Sequence, residues 1–120
     1  MRPGPDIPTV DVATAAERLR AEDPPLLVDV REPSEFADVR AEGAVLMPLS
    51  TFLLRYQSLP KDRPLLMICA VGGRSANATA HLLQNGWQDV TNVAGGTVGW
   101  DRAGLPVRRG TPAPGEVDLP

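Results

Sequence analysis

Leu65-Leu66-Met67-Ile68-Cys69 runs straight into Ala70-Val71-Gly72-Gly73-Arg74-Ser75, and an Ala- and Leu-rich stretch follows as far as Asn85. A short, continuous apolar run after Pro64 fits a strand buried on both faces, as in parallel sheets. Two glycines and then a helical composition complete a strand–turn–helix unit. Leu26-Leu27-Val28-Asp29-Val30 is a second run of the same kind, Ala44-Val45-Leu46-Met47 and Val90-Thr91-Asn92-Val93 read as further strands, and Pro8-Thr9-Val10 reads as a short edge.

Helices are expected between these runs. Asp11 is placed to cap residues 12–20, where Val12, Ala15, Ala16 and Leu19 share a face. Pro33 opens a short helix through Phe36. Ser50 caps residues 51–59, with Phe52, Leu53, Tyr56 and Leu59 turned inward and Pro60 ending the helix. Residues 75–85 form a helix stopped by a left-handed Gly86, and residues 98–103 form a last one before Gly104. Strands alternating with helices imply right-handed βαβ units around a parallel sheet, with function at the C-terminal strand ends. Cys69 stands at such an end.

The composition excludes several classes. The chain has 120 residues, enough for one domain with its own core. It is 42% hydrophobic and 22% charged, which rules out disorder throughout. A net charge of −3 argues against nucleic acid or an anionic membrane as partner. No segment approaches the ~18 apolar residues of a membrane span. One cysteine permits no internal disulfide, so the reducing cytoplasm is the expected location and a monomer the expected state.

The chemistry concentrates in residues 69–75. Gly72 and Gly73 let the loop curl with its N–H groups inward, and such a nest at a helix N-terminus favours an anion. A cysteine at its mouth is held as thiolate, the reactive form. A free thiol titrates near ~8.5 and is only about 3% ionised at pH 7; a two-unit drop needs ~2.7 kcal/mol. A helix terminus gives ~0.3–2 kcal/mol, so several amide hydrogen bonds and Arg74 must supply the rest. A lone cysteine ending an apolar strand is otherwise a small buried hydrophobe. The Gly-Gly-Arg-Ser continuation favours the reactive reading, because a core cysteine needs no nest beside it.

Other residues read as structural. Asp29 and Arg31 lie on the same side of the sheet as Cys69 and suit an ion pair or a cap involving Glu35. His81 points away from Cys69 and is expected at the surface. With one His and one Cys, a metal site has no support and no cofactor is expected. Gly95-Gly96 lacks dinucleotide-loop spacing and suits a tight turn beside the active loop, with Trp100 in the core.

Taken together, these residues resemble the rhodanese family of sulfurtransferases in its single-domain form. Leu27-Val28-Asp29-Val30-Arg31-Glu32-Pro33-Ser34-Glu35-Phe36 is similar to the family's strand-to-helix signature. Cys69-x-x-Gly72-x-Arg74-Ser75 is similar to its active-site loop. Gly86, Val90, Gly95-Gly96, Trp100, Gly104 and Pro106 follow its C-terminal pattern. The resemblance implies a three-layer α/β fold over residues 8–107, a central and mostly parallel five-stranded sheet with helices on both faces. Residues 1–7 are then an N-terminal extension. Residues 108–120 are a tail with no structure of its own, at most lying against the domain.

The same resemblance implies that Cys69 is the nucleophile. It takes a sulfane sulfur from thiosulfate or another persulfide donor, is cradled by Ala70, Val71, Gly72, Gly73, Arg74 and Ser75, and passes the sulfur to cyanide or to a thiol or protein acceptor. The spacing Cys-x4-Arg is one residue shorter than the loop of cysteine phosphatases, which favours sulfur over phosphate or arsenate. Two departures stand out. Arg40-Ala41-Glu42-Gly43-Ala44 replaces the family's His-Ile-Pro-Gly-Ala, and Ala70 and Val71 are apolar where thiosulfate users often carry polar residues. The competing readings are a non-catalytic binding module, or an arsenate reductase or phosphatase on the same fold.

Overall fold

The computed structural model describes residues 7–117 and Leu119. All of the expected N-terminal extension except Ile7 lies outside them. Five short strands form one parallel sheet: β1 (Thr9–Val10), β2 (Leu26–Asp29), β4 (Val45–Leu46), β5 (Leu65–Ile68) and β6 (Val90–Val93), in spatial order β1-β6-β5-β2-β4. The sheet expected from the sequence is therefore present, and all its pairings are parallel.

Every residue of β5 and β6 is buried, which is why neither shows an alternating polar pattern. Val28, Val30, Leu65, Met67, Cys69 and Val90 face one side, under α3 (Leu49–Arg55) and α4 (Gly73–Gln84), where they meet Phe52, Ala78 and Leu82. Leu27, Leu66, Ile68 and Val93 face the other side, under α1 (Val12–Leu19), α2 (Pro33–Asp38) and α5 (Gly96–Arg102), where they meet Ala15, Ala16, Phe36 and Trp100. The period-2 geometry of a strand thus feeds two cores, and Cys69 follows β5 directly, on the α3/α4 side.

Several boundaries differ from the expected ones. Asp11 does cap α1, its carboxylate accepting from Thr14 N–H at 2.8 Å. Ser50 does not cap α3: the helix begins at Leu49 after Pro48, and the Ser50 hydroxyl instead donates to Glu32 at 2.7 Å. That helix gives way to a tighter 3₁₀ turn at Tyr56–Ser58 before Pro60. Helix α5 starts two residues early, because Gly95 and Gly96 both take positive φ and Thr97 and Val98 then donate to the carbonyls of Cys69 and Ala70.

The expectation of a tail with no structure of its own is corrected for residues 108–117. β7 (Val107–Arg108) pairs antiparallel with β3 (Arg40–Ala41), and α6 (Pro114–Val117) packs over β4. The fastening is polar. The nearly fully buried Arg40 donates to both Glu116 oxygens, at 2.6 and 3.1 Å, and to the carbonyls of Phe36 and Gly110. The same Arg40 carries the place where the sequence departs from the family pattern, so the departure holds a contact of its own.

Candidate active site

The Cys69 side chain is buried at the floor of a turn that joins β5 to α4. Gly72 makes the turn with φ +119°, a left-handed conformation that costs a residue with a Cβ dearly. The turn brings Gly72 N–H to 3.1 Å from Sγ, and the Ser75 hydroxyl oxygen lies 3.2 Å from it. Burial pushes the thiol's pKa up. The Ser75 hydroxyl and the amides of Ser75, Gly72 and Val71 outweigh that and bring it below its usual value. The direction agrees with the expectation: the lowering comes from directed donors.

The loop is held from behind. A Cβ on Gly96 would lie 2.5 Å from the Cys69 carbonyl oxygen and would also strike the Ala70 carbonyl, so only glycine lets α5 approach this closely. The expected tight turn at Gly95-Gly96 is therefore a support for the active loop.

Of the seven residues singled out, Gly72 directs its amide at the sulfur, and the amides of Val71 and Ser75 add to its preference for the charged form. Ala70 faces backward through its carbonyl, and Gly73 opens α4. Arg74 lies close enough for its charge to act on Cys69, but its hydrogen bonds go elsewhere. Its guanidinium makes a two-point pair with Glu35, 2.8 Å on each side, and is not turned onto the thiol. Arg74 pulls the Glu35 carboxyl down to about 2, against the effect of burial, and the Glu32 amide helps. Glu35 in turn raises the Arg74 pKa. Glu35 was legible in the helix signature and as a partner for Arg31; its pairing with Arg74 across 39 residues carried no local signal.

Arg31 and Asp29 form the structural pair expected. Arg31 binds both Asp29 oxygens, and its remaining N–H groups reach the carbonyls of Glu35 and Val39. The two guanidiniums flanking the loop, Arg31 and Arg74, are thus each matched by a carboxylate. The tip of the loop is Val71, two-thirds exposed. His81 is corrected: it is half-buried, edge-on to Tyr56 at 4.5 Å between ring centroids and to Phe52 at 6.0 Å. Helix α4 turns it away from Cys69 but into the groove beside α3.

Asn92 was missed altogether. It sits on β6 on the same side as Cys69, accepts from Ser75 at 2.6 Å and donates to the Gly72 carbonyl at 3.3 Å. An asparagine within a strand bounded by Val90 and Val93 was the available signal, since a buried amide needs partners. Among the described residues no group of three His, Cys, Asp or Glu could hold a metal ion, and no helix is long and apolar enough to cross a membrane.

Comparison with known proteins agrees with this geometry. The family model for the rhodanese-like domain matches residues 11–103. A sulfurtransferase of Allochromatium vinosum is 37% identical over 98 residues, covering 82% of this chain and 92% of that protein. The thiosulfate sulfurtransferase GlpE of Vibrio cholerae is 31% identical, with the same coverage. Among solved structures, a rhodanese-related protein of Thermoplasma volcanium superposes with a TM-score of 0.77 at 31% identity, covering 84% of this chain and 97% of that one. Strand order, the cysteine loop and these relatives converge, and the chain belongs to the rhodanese-like domain family.

Proposed function

We propose that this protein is a sulfurtransferase in which Cys69 carries the sulfur as a persulfide. One observation supports the reading most: a buried cysteine sulfur that meets the Gly72 amide and the Ser75 hydroxyl within 3.2 Å, at the mouth of a glycine turn. The Cys69 thiolate attacks the outer sulfur of a donor such as thiosulfate. The donor's S–S bond breaks, its electron pair leaves with sulfite, and a Cys69 persulfide remains. Cyanide or an external thiol then attacks the outer sulfur and releases the Cys69 thiolate. The two half-reactions predict ping-pong kinetics. The amides of residues 70–75 hold the outer sulfur.

With no second cysteine in the chain, the sulfur passes to an external acceptor, a small thiol or a protein. We place this chemistry in the cytoplasm and assign it to a monomer without a cofactor.

The donor class follows from the paired cations. Arg74 is matched by Glu35 and Arg31 by Asp29, and Val71 forms the tip, so the two arginines nearest the loop meet the second negative charge of thiosulfate already paired. An organic persulfide with less charge suits this cradle better. Intact mass after incubation with each donor tests both steps, with Cys69→Ser as control. A gain of one sulfur, absent in the control and reversed by cyanide, is expected. No gain with thiosulfate or with any organic persulfide would leave the binding-module reading in its place.

A further inference from the structure

Ser75 has one hydroxyl proton and three acceptors around its oxygen: Asn92 Oδ1 at 2.6 Å, Cys69 Sγ at 3.2 Å and the Gly72 carbonyl at 3.3 Å. The orientation of Asn92 is dictated by its other partner. The Gly72 carbonyl can only accept, so the Asn92 atom facing it is Nδ2, which leaves Oδ1 toward Ser75. Oδ1 also only accepts, so the Ser75 proton lies on the shortest of the three lines. With its proton there, Ser75 offers the sulfur a lone pair. It accepts from the neutral thiol S–H and cannot donate to a thiolate until its proton leaves Asn92.

We propose that Asn92 is a positioning residue that sets the ionisation of Cys69 through Ser75. In the resting protein it holds the hydroxyl as an acceptor for the thiol. As the thiol proton departs to solvent, the hydroxyl rotates and donates to Sγ, and Asn92 Oδ1 gives up its hydrogen bond. No bond other than S–H is broken, and no oxidant or co-reactant is needed. Asn92 thus opposes ionisation, and there is a chemical reason for a brake: a thiolate stabilised too far is a poorer nucleophile.

The charges around the sulfur do not change in this step. Arg74 of α4 stays with Glu35 of α2, and Arg31 stays with Asp29 after β2. Helix α3 presents Phe52 to this core, β6 presents Asn92, and α5 approaches through the Thr97 amide.

The inference rests on Cys69 being the reacting group, but its readout needs no sulfur donor. The rate of Cys69 alkylation by iodoacetamide is followed against pH in the full chain, for the unsubstituted protein, Asn92→Val, Ser75→Ala and the double variant. Asn92→Val is expected to move the midpoint down by about one pH unit, the scale of one hydrogen bond to an anion. Ser75→Ala moves it up, and Asn92→Val on that background moves nothing. Lost polarity or a loosened loop would raise the midpoint, so an Asn92→Val midpoint that rises or stays put overturns the proposal.

If Asn92→Val does not fold, the side-chain carbonyl ¹³C signal of Asn92 in the unsubstituted protein decides. It is expected to titrate with the midpoint of Cys69, and a signal that does not follow it overturns the proposal. An ordinary midpoint near ~8.5 in the unsubstituted protein would overturn the functional reading as well.

Discussion

The loop at residues 69–75 and the segment at residues 107–117 look alike as sequence, both being short and rich in turn formers. They behave differently because their partners lie at different distances along the chain. The loop's chemistry is local: Sγ meets Gly72 three residues on and Ser75 six residues on. The C-terminal segment is held by contacts to Arg40 across 70 and 76 residues. A reading of neighbouring residues reaches the first and cannot reach the second. The difference also separates function from stability: the loop carries reactivity, and the C-terminal segment covers β4, one edge of the five-stranded sheet.

Substitutions that damage one region and spare the other sharpen this contrast. The largest effect is expected from Gly96→Ala, which drives a methyl group into the carbonyls of Cys69 and Ala70 at a φ of +57°. Sulfur loading of Cys69 should fall by about a hundredfold, the scale of a 1 Å misplacement in a reacting site. Stopped-flow loading rates check this, and a rate within twofold of the unsubstituted protein would show that the loop does not need its backing.

Arg40→Ala should act in the opposite sense. It leaves Glu116 without its partner and frees two carbonyls, and should destabilise the fold by about 3 kcal/mol. Urea unfolding measures the loss. The Cys69 alkylation profile below the transition should not move, and if it does, the two regions are coupled.

Val71→Lys should raise the loading rate from thiosulfate by roughly tenfold, through a free cation at the loop tip. The gain should shrink with added salt and leave the rate with an uncharged alkyl persulfide unchanged. An equal gain with both donors would mean that charge does not select the donor.

The smallest effect is expected from Glu35→Gln. Arg74 holds the Glu35 carboxyl down to about 2, from an ordinary 4.5, so the pair's stabilisation is complete above pH 4.5 and is lost as the pH falls through about 2. Both side chains are about one-third exposed, which limits the contribution to below about 1 kcal/mol. Urea midpoints of the two proteins should therefore differ slightly at pH 6 and converge toward pH 2. A gap that stays constant with pH would mean that the pair adds no charge-dependent stability.

The long apolar runs and their turn residues determined most of this protein without help. Leu26 and Leu65 open strands whose near-continuous apolar character is the mark of burial on both faces, and with the strand opened by Val90 these are the three central strands. The strand–Gly-Gly–helix succession placed Cys69 at a strand end and turned amides toward it, because backbone geometry over seven residues suffices for that. Tertiary structure decided the partners of long side chains. Arg74 turned to Glu35 and not to the sulfur, since a carboxylate within reach offers two charge-assisted hydrogen bonds. His81 joined Tyr56 and Phe52, Arg40 gathered in the C-terminal segment, and Asn92 came to share the Ser75 proton. Each of these depends on two segments far apart in sequence arriving within about 3–6 Å, a distance that only packing sets.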